Sequence, residues 1–129
     1  MAGIRALTGW VGVALDAPDP VALARFYRDL FGWEIASEEP DWVTMGIPGT
    51  TNYLAFKPEE IYERPTWPAA PGRQQMMMHL DIGVSDLGAA VEDALALGAE
   101  LADDQPQDDV RVLYDPAGHP FCLYTDVEE

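Results

Sequence analysis

A histidine and an aspartate stand two residues apart in the segment His79-Leu80-Asp81. In an extended strand, residues i and i+2 point to the same face, so this imidazole and this carboxylate project together. An imidazole titrates near neutral pH, and a carboxylate that orients it completes a general acid/base pair. His79 and Asp81 are therefore the predicted catalytic residues. The alternative is that the histidine has a structural role.

Cys122 is the chain's only cysteine, so it forms no intramolecular disulfide, which is typical of a reducing compartment. If its neighbours Phe121 and Leu123 pack beneath a helix, Cys122 and Tyr124 face the same side as His79. A thiol between large apolar residues is usually inert. Cys122 is thus predicted to contact a ligand rather than to attack one.

Several aromatic residues are predicted to line a small-molecule site on this non-helical face. Stacking and cation–π contacts with such side chains contribute about 0.5–2 kcal/mol each. Arg111 is predicted to hold an anionic substrate group. The predicted ligand-binding set is Trp10, Trp42, Phe56, Trp67, Arg111, Cys122 and Tyr124.

Two amphipathic helices have to cover the sheet that carries these residues. Asp19 and Asp86 open similar segments 67 residues apart, and Gly32 and Gly98 close them. Aspartate caps free N–H groups at a helix start, and Pro20 suits the first helical position. Apolar residues then recur at three- and four-residue spacing, which predicts one buried stripe on each helix.

Strand signals surround both helices and give the order β-α-β-β-β twice. This pattern predicts an α+β protein that forms a single domain over residues 1–129, with module one at about 8–58 and module two at about 75–126. A proline-rich connector at about 59–74 is expected to run extended, with Trp67 at a pocket rim. The predicted strands are 9–16, 33–37, 41–47, 51–57, 75–84, 99–103, 109–114 and 119–125.

Alternation assigns further residues to the helix side of these strands. The fifth strand is predicted to bury Met76, Met78, Leu80 and Ile82, the first Val11, Val13 and Leu15, and the fourth Leu54 and Phe56.

The formal charge is −16, from 23 acidic and 7 basic residues. Such a surface repels phosphate backbones and anionic lipids, so neither nucleic acid nor a membrane is an expected partner. No apolar run reaches the ~18–20 residues of a membrane span, and no leader is recognisable, so we expect a cytoplasmic protein. The charge either keeps the protein soluble or forms an acidic crevice for a cationic ligand.

Residues 19–34, 79–87, 97–99 and 115–123 resemble the helix, paired-strand and final-hairpin signatures of the glyoxalase/bleomycin-resistance (vicinal oxygen chelate) superfamily. The connector Arg64-Pro-Thr-Trp-Pro68 is similar to that of a glyoxalase-like subgroup. The resemblance implies a curved mixed sheet around a cavity, with the helices outside. It also implies a homodimer that binds a small molecule.

In that superfamily two histidines and one or two glutamates hold a divalent metal. His79 matches one ligand histidine, whereas Gly12 occupies the equivalent place in the first half. Cys122 stands at the usual glutamate, with its counterpart near Leu54, and alternation places His119 opposite Cys122. His79 is then the only remaining family ligand, so we expect no metal or other cofactor, with a bound divalent metal as the alternative.

The resemblance leaves two functions open. The first is a small-molecule-binding protein with a degenerate metal site, which sequesters a cationic or aromatic ligand as resistance proteins of this superfamily do. The second is a lyase, isomerase or dioxygenase that uses His79 as acid/base or metal ligand. In that enzyme, Asp81 would orient His79, and Arg111 or Tyr124 would hold an anionic substrate.

Overall fold

The computed structural model describes residues 3–125, which divide into two compact units, one up to Tyr62 and one from Glu63 onward. Both units have the order β-α-β-β-β, as the sequence predicts. Between residues 3 and 125, neither helix has the length and hydropathy needed to cross a bilayer.

The first unit contains one four-stranded mixed sheet and one helix. The sheet order is β1-β4-β3-β2, in which β1 and β4 run parallel and the other neighbours run antiparallel. The elements are β1 (Val11–Ala17), α1 (Pro20–Phe31), β2 (Ile35–Glu39), β3 (Trp42–Gly46) and β4 (Asn52–Pro58).

The second unit repeats this topology, with sheet order β5-β8-β7-β6 and a parallel β5–β8 pair. In the first unit Val13 pairs with Leu54, and 67 residues later Leu80 pairs with Phe121, so the two registers correspond. The elements are β5 (Leu80–Gly83), α2 (Leu87–Ala96), β6 (Glu100–Leu101), β7 (Val110–Tyr114) and β8 (Pro120–Tyr124).

The predicted helix caps are confirmed at both ends of α1. Oδ1 of Asp19 accepts a hydrogen bond from the Ala22 N–H at 3.1 Å, and Asp86 caps α2 in the same way through the Ala89 N–H at 3.1 Å. Gly32 ends α1 with φ = 72°, a left-handed conformation that glycine adopts without a Cβ penalty.

Each helix covers the apolar row of its own sheet. In the first unit the Tyr27 ring stacks on Phe56 with centroids 5.9 Å apart, beside buried Leu23 and Met45. In the second unit α2 packs against β7 and β8. Phe121 and Leu123 are buried there, as predicted.

The fifth strand starts at Leu80, so the prediction that it begins near residue 75 is wrong. Met77 has φ = 60°, and this left-handed backbone interrupts the alternation that the prediction assumed. Met78 is 73% exposed and therefore does not lie beneath α2. Val11 is likewise exposed at the start of β1, whereas Val13 and Leu15 are half-buried.

The connector folds back on itself and does not run extended as predicted. The Thr66 N–H donates to the Gln74 carbonyl at 3.0 Å, and the Gln74 N–H donates to Oε2 of Glu63 at 2.9 Å. This backbone hydrogen bond, together with the Arg73 guanidinium, lowers the pKa of the Glu63 carboxyl. The segment therefore closes a loop within the second unit.

Candidate functional site

A cavity of about 480 Å³ lies against the β5–β8–β7 face of the second unit. It is lined by Trp67 of the connector, by the loop before β7, and by alternate residues of the three strands. These residues are Trp67, His79, Asp81, Pro106, Gln107, Asp109, Val110, Val112, Cys122, Tyr124 and Thr125.

Strand register explains which side chains reach the cavity. Asp81 pairs with Cys122 across β5 and β8, and Val112 pairs with Cys122 across β7 and β8. Paired residues in a sheet share one face, so these three side chains form a row. Phe121 and Leu123 point to the opposite, buried face.

His79, Asp81 and Cys122 bring three different donor atoms together. Nε2 of His79 lies 2.9 Å from Oδ1 of Asp81, with the two side chains 33% and 60% exposed. Burial, reinforced by the Asp81 charge, raises the pKa of the Cys122 thiol to about 11. The three donor atoms lie within 4.8 Å of one another. The predicted His79–Asp81 pairing is therefore present.

Trp67 is held in the cavity wall by two hydrogen bonds. Its Nε1–H donates to the Asp104 carbonyl at 3.1 Å, and its own carbonyl accepts from the Tyr114 hydroxyl at 3.1 Å. Burial raises the pKa of the Tyr114 phenol, which keeps the donating form of this group. An aromatic side chain fixed in this way can receive a ligand with little further loss of rotamer freedom.

Tyr124 forms another part of the aromatic wall. Its hydroxyl lies 3.1 Å from the position that a Cβ on Gly83 would occupy, so a larger residue at position 83 would push the ring away. The close approach of this ring to β5 thus depends on glycine.

Arg111 does not line the cavity, although the sequence predicts it as a ligand-binding residue. It pairs with Leu123, on the opposite side of the sheet from Val110 and Val112. Its Nη1 donates to the carbonyls of Gln107, Asp108 and Val110 at 3.1, 3.1 and 2.7 Å. The guanidinium therefore fastens the loop before β7.

His119 lies outside the donor cluster, as predicted. Its Nδ1 is 2.8 Å from Oδ2 of the buried Asp115, and the backbone N–H of His119 donates to Oδ1 of Asp115 at 2.9 Å. This pair builds the turn between β7 and β8.

Three of the predicted ligand-binding aromatics belong to the first unit. Phe56 is 0% exposed beneath α1, so the prediction that it contacts a ligand is not compatible with this packing. This burial agrees with the alternation of the fourth strand, which predicts Phe56 on the helix side, and contradicts its place in the ligand-binding set. Trp10 and Trp42 are exposed, at 64% and 40%, and their role in ligand binding stays a prediction.

The described lining of the cavity has two carboxylates, and its one basic side chain is the imidazole of His79. Among its described lining residues are the carboxylates of Asp81 and Asp109 and no lysine or arginine. Asp109 and Gln107 were not predicted from the sequence, because the acidic, proline-containing loop at 103–109 carries no motif. The acidic pair Asp108-Asp109, directly before the strand pattern of β7, is the sequence feature that could have indicated these lining residues.

A family model described as the glyoxalase-like domain matches residues 12–124, so the chain belongs to the glyoxalase-like domain family. No curated protein matches the chain.

Solved structures of low sequence identity share the fold. One is a glyoxalase-related enzyme from Fulvimarina pelagi, with 22% identity, coverage of 93% of this chain and 89% of that one, and a TM-score of 0.65. A glyoxalase/bleomycin resistance protein/dioxygenase family enzyme from Burkholderia phytofirmans has 20% identity, coverage of 90% and 97%, and a TM-score of 0.67. The fosfomycin resistance protein FosX from Listeria monocytogenes, solved with Mn(II) and a dihydroxypropylphosphonic acid, has 15% identity, coverage of 94% and 90%, and a TM-score of 0.66.

The donors of this chain do not fit the metal site of two histidines and one or two glutamates that the superfamily resemblance implies. By register, Ala14 and Ala55 of the first unit correspond to Asp81 and Cys122, which corrects the sequence-based estimate of Leu54. Neither alanine offers a ligand, and the Tyr53 ring occupies the space beside Gly12. Among the described residues, the cluster of imidazole, carboxylate and thiol is therefore a different donor set.

Proposed function

We propose that this protein binds a small organic cation with an aromatic or planar part in the cavity of its second unit. Trp67 and Tyr124 would provide the surface on which the ligand stacks, and Asp81 would provide the opposite charge. The observation that carries the proposal is the anchored Trp67 in a cavity whose described lining has carboxylates and no lysine or arginine.

Charge decides which ligand class the cavity favours. A carboxylate in a partly enclosed space attracts a cation more strongly than in open water, because the local dielectric is lower. An anionic ligand such as a phosphonate would meet Asp81 and Asp109 with no lysine or arginine in the described lining to oppose them. The phosphonic acid in the FosX structure therefore belongs to a ligand class that this cavity disfavours.

An enzyme is the second candidate, and the His79–Asp81 contact is the observation that favours it. A carboxylate 2.9 Å from Nε2 can fix the tautomer of the imidazole, leaving Nδ1 as the second proton-carrying position. A lyase or isomerase could use such a group. The binding function is preferred because the described lining has no lysine or arginine to stabilise a developing oxyanion.

The test measures binding of a planar cationic dye, thioflavin T, to chelator-treated protein at low salt, beside an anionic dye of similar size. We expect saturable binding of the cationic dye alone. Trp67→Ala should weaken it about 5- to 30-fold, equivalent to about 1–2 kcal/mol, whereas Trp67→Phe retains most of the affinity.

The matched control separates a specific carboxylate from the general negative charge. Asp81→Asn and Asp108→Asn remove the same charge, but only Asp81 lines the cavity. Asp81→Asn should weaken binding while Asp108→Asn leaves it unchanged. Equal effects of the two variants, or preferential binding of the anionic dye, would contradict the proposal.

We also propose that the protein acts as a homodimer in the cytoplasm. The family resemblance and the single cysteine support this. Sedimentation equilibrium without a tag gives the mass of the assembly, and fractionation of the source cells gives the compartment. A monomer at all concentrations, or a protein found in the membrane fraction, would contradict it.

A further inference from the structure

We infer that His79, Asp81 and Cys122 form a binding site for a thiophilic divalent cation of the Zn²⁺ class, in place of the hard-metal site of related folds. The cluster is the meeting point of an imidazole nitrogen, a carboxylate oxygen and a thiol sulfur within 4.8 Å. This inference does not depend on the binding of an organic cation.

The backbone already holds two of the three donors in register. Asp81 and Cys122 are directly paired between β5 and β8, and His79 stands two residues before Asp81. Two zinc ligands at ~2.05 Å from a tetrahedral ion lie about 3.3 Å apart. The present separation of 2.9 Å between His79 Nε2 and Asp81 Oδ1 therefore needs to open by only a few tenths of an ångström.

The thiol determines which metal the cluster selects. Thiolate and imidazole ligands favour Zn²⁺, whereas Mn²⁺ favours carboxylate, carbonyl and water oxygens. Three protein ligands leave one tetrahedral position, and the cluster lines the cavity, so that position would face the cavity interior.

Zinc binding requires the Cys122 thiol to lose its proton, and the positive charge of the ion favours this loss. The thiol proton passes to the buffer as the Zn–S bond forms. The Nε2 proton that His79 donates to Asp81 moves through solvent to Nδ1, so that Nε2 coordinates the ion as a neutral ring nitrogen. A divalent ion deprotonates a coordinating thiol outright, which overcomes the burial that otherwise holds the proton.

The experiment uses untagged protein treated with a chelator and then titrated with Zn²⁺ against a chromogenic zinc indicator. We expect one equivalent to bind, and Cys122→Ser to weaken the affinity at least about tenfold. Asp109→Asn is the matched control, because it removes a carboxylate from the same cavity but outside the cluster. It should leave zinc affinity unchanged within about threefold.

Co²⁺ gives a readout that a structural effect of the substitution does not imitate. Thiolate coordination should produce a near-ultraviolet charge-transfer band in the wild type and in Asp109→Asn, and no band in Cys122→Ser. Circular dichroism checks that each variant is folded. Absence of the band, or zinc affinity that survives Cys122→Ser or falls equally in Asp109→Asn, would overturn the inference.

Discussion

His79 Nε2 and Asp81 Oδ1 lie 2.9 Å apart at the edge of the cavity. The same carboxylate also lies within 4.8 Å of the Cys122 thiol and is one of two acidic groups in the described lining. Asp81 is thus shared between an imidazole, a thiol and any cation that enters. Removing the imidazole therefore tests whether His79 contacts a bound cation itself or contacts only Asp81.

His79→Ala should change the affinity for the cationic dye by less than about threefold, because Trp67 and Asp81 carry the binding. The substitution removes an imidazole that competes with the dye for the Asp81 carboxylate. This gain offsets the loss of any contact between the imidazole and the dye. Fluorescence titration measures the affinity, and Asp81→Asn gives the size of a true loss. A fall of more than tenfold in His79→Ala would indicate that the imidazole itself contacts the ligand.

Phe56→Ala should destabilise the first unit by about 3–5 kcal/mol, the usual range for removing a buried aromatic ring. The ring stacks on Tyr27 and is wholly buried. Trp10→Ala is the comparison, since Trp10 is 64% exposed and should cost less than about 1 kcal/mol. Denaturant unfolding measures both, and similar costs would contradict the assignment of Phe56 to the core.

The helices and the repeat could be predicted because their signals are local. Asp19 and Asp86 are capping residues followed by a helical apolar period, and this pattern depends on no distant contact. Alternation likewise predicted that Cys122 and Asp81 share a face, because both lie in regular strands. The prediction for Arg111 is wrong because the alternation of β7 places this residue beside Leu123, on the face away from the cavity, and the charge of a side chain does not indicate its face.

Other features depend on the folded chain and could not be predicted. The left-handed backbone at Met77 delays the start of the fifth strand to Leu80, and a methionine gives no signal for that conformation. The folded-back connector depends on Glu63 meeting the Gln74 N–H, eleven residues away. Asp109 enters the cavity from a loop whose path the sequence does not specify.

The free energy of unfolding should fall less steeply at alkaline pH in Tyr114→Phe than in the wild type. Burial, with a contribution from the Asp103 charge, raises the pKa of Tyr114 above its ordinary value of 10.0. The stabilising effect is therefore fully present below pH 10 and is lost as the pH rises through the folded-state value, because the unfolded chain releases the proton first. Urea midpoints of the two proteins between pH 8 and 11 measure the difference.

The variant also loses the hydrogen bond from the phenol to the Trp67 carbonyl, so its stability at pH 8 should be lower by about 1 kcal/mol. The two stability curves should then converge above pH 10. Parallel curves over the whole range would mean that Tyr114 is not buried enough to resist ionisation.

Cys122 in metal-free protein should react with iodoacetamide at least about tenfold more slowly at pH 8 than an ordinary exposed thiol. Burial and the Asp81 carboxylate raise the pKa of this thiol to about 11, so very little thiolate is present, although the thiolate that forms is the more nucleophilic. The rate should rise close to tenfold per pH unit from pH 8 to 10. Because the chain has one cysteine, mass spectrometry follows the reaction without interference.

Asp81→Asn is the informative variant for this thiol, because it removes the nearby charge and leaves the burial of Cys122 largely unchanged. Burial is the larger cause of the raised pKa, so the rate at pH 8 should increase only about two- to fivefold. Asp109→Asn should have a smaller effect, since Asp109 is outside the cluster of His79, Asp81 and Cys122. A rate that does not depend on pH, or an Asp81→Asn rate equal to that of a free thiol, would show that burial does not control the reactivity of Cys122.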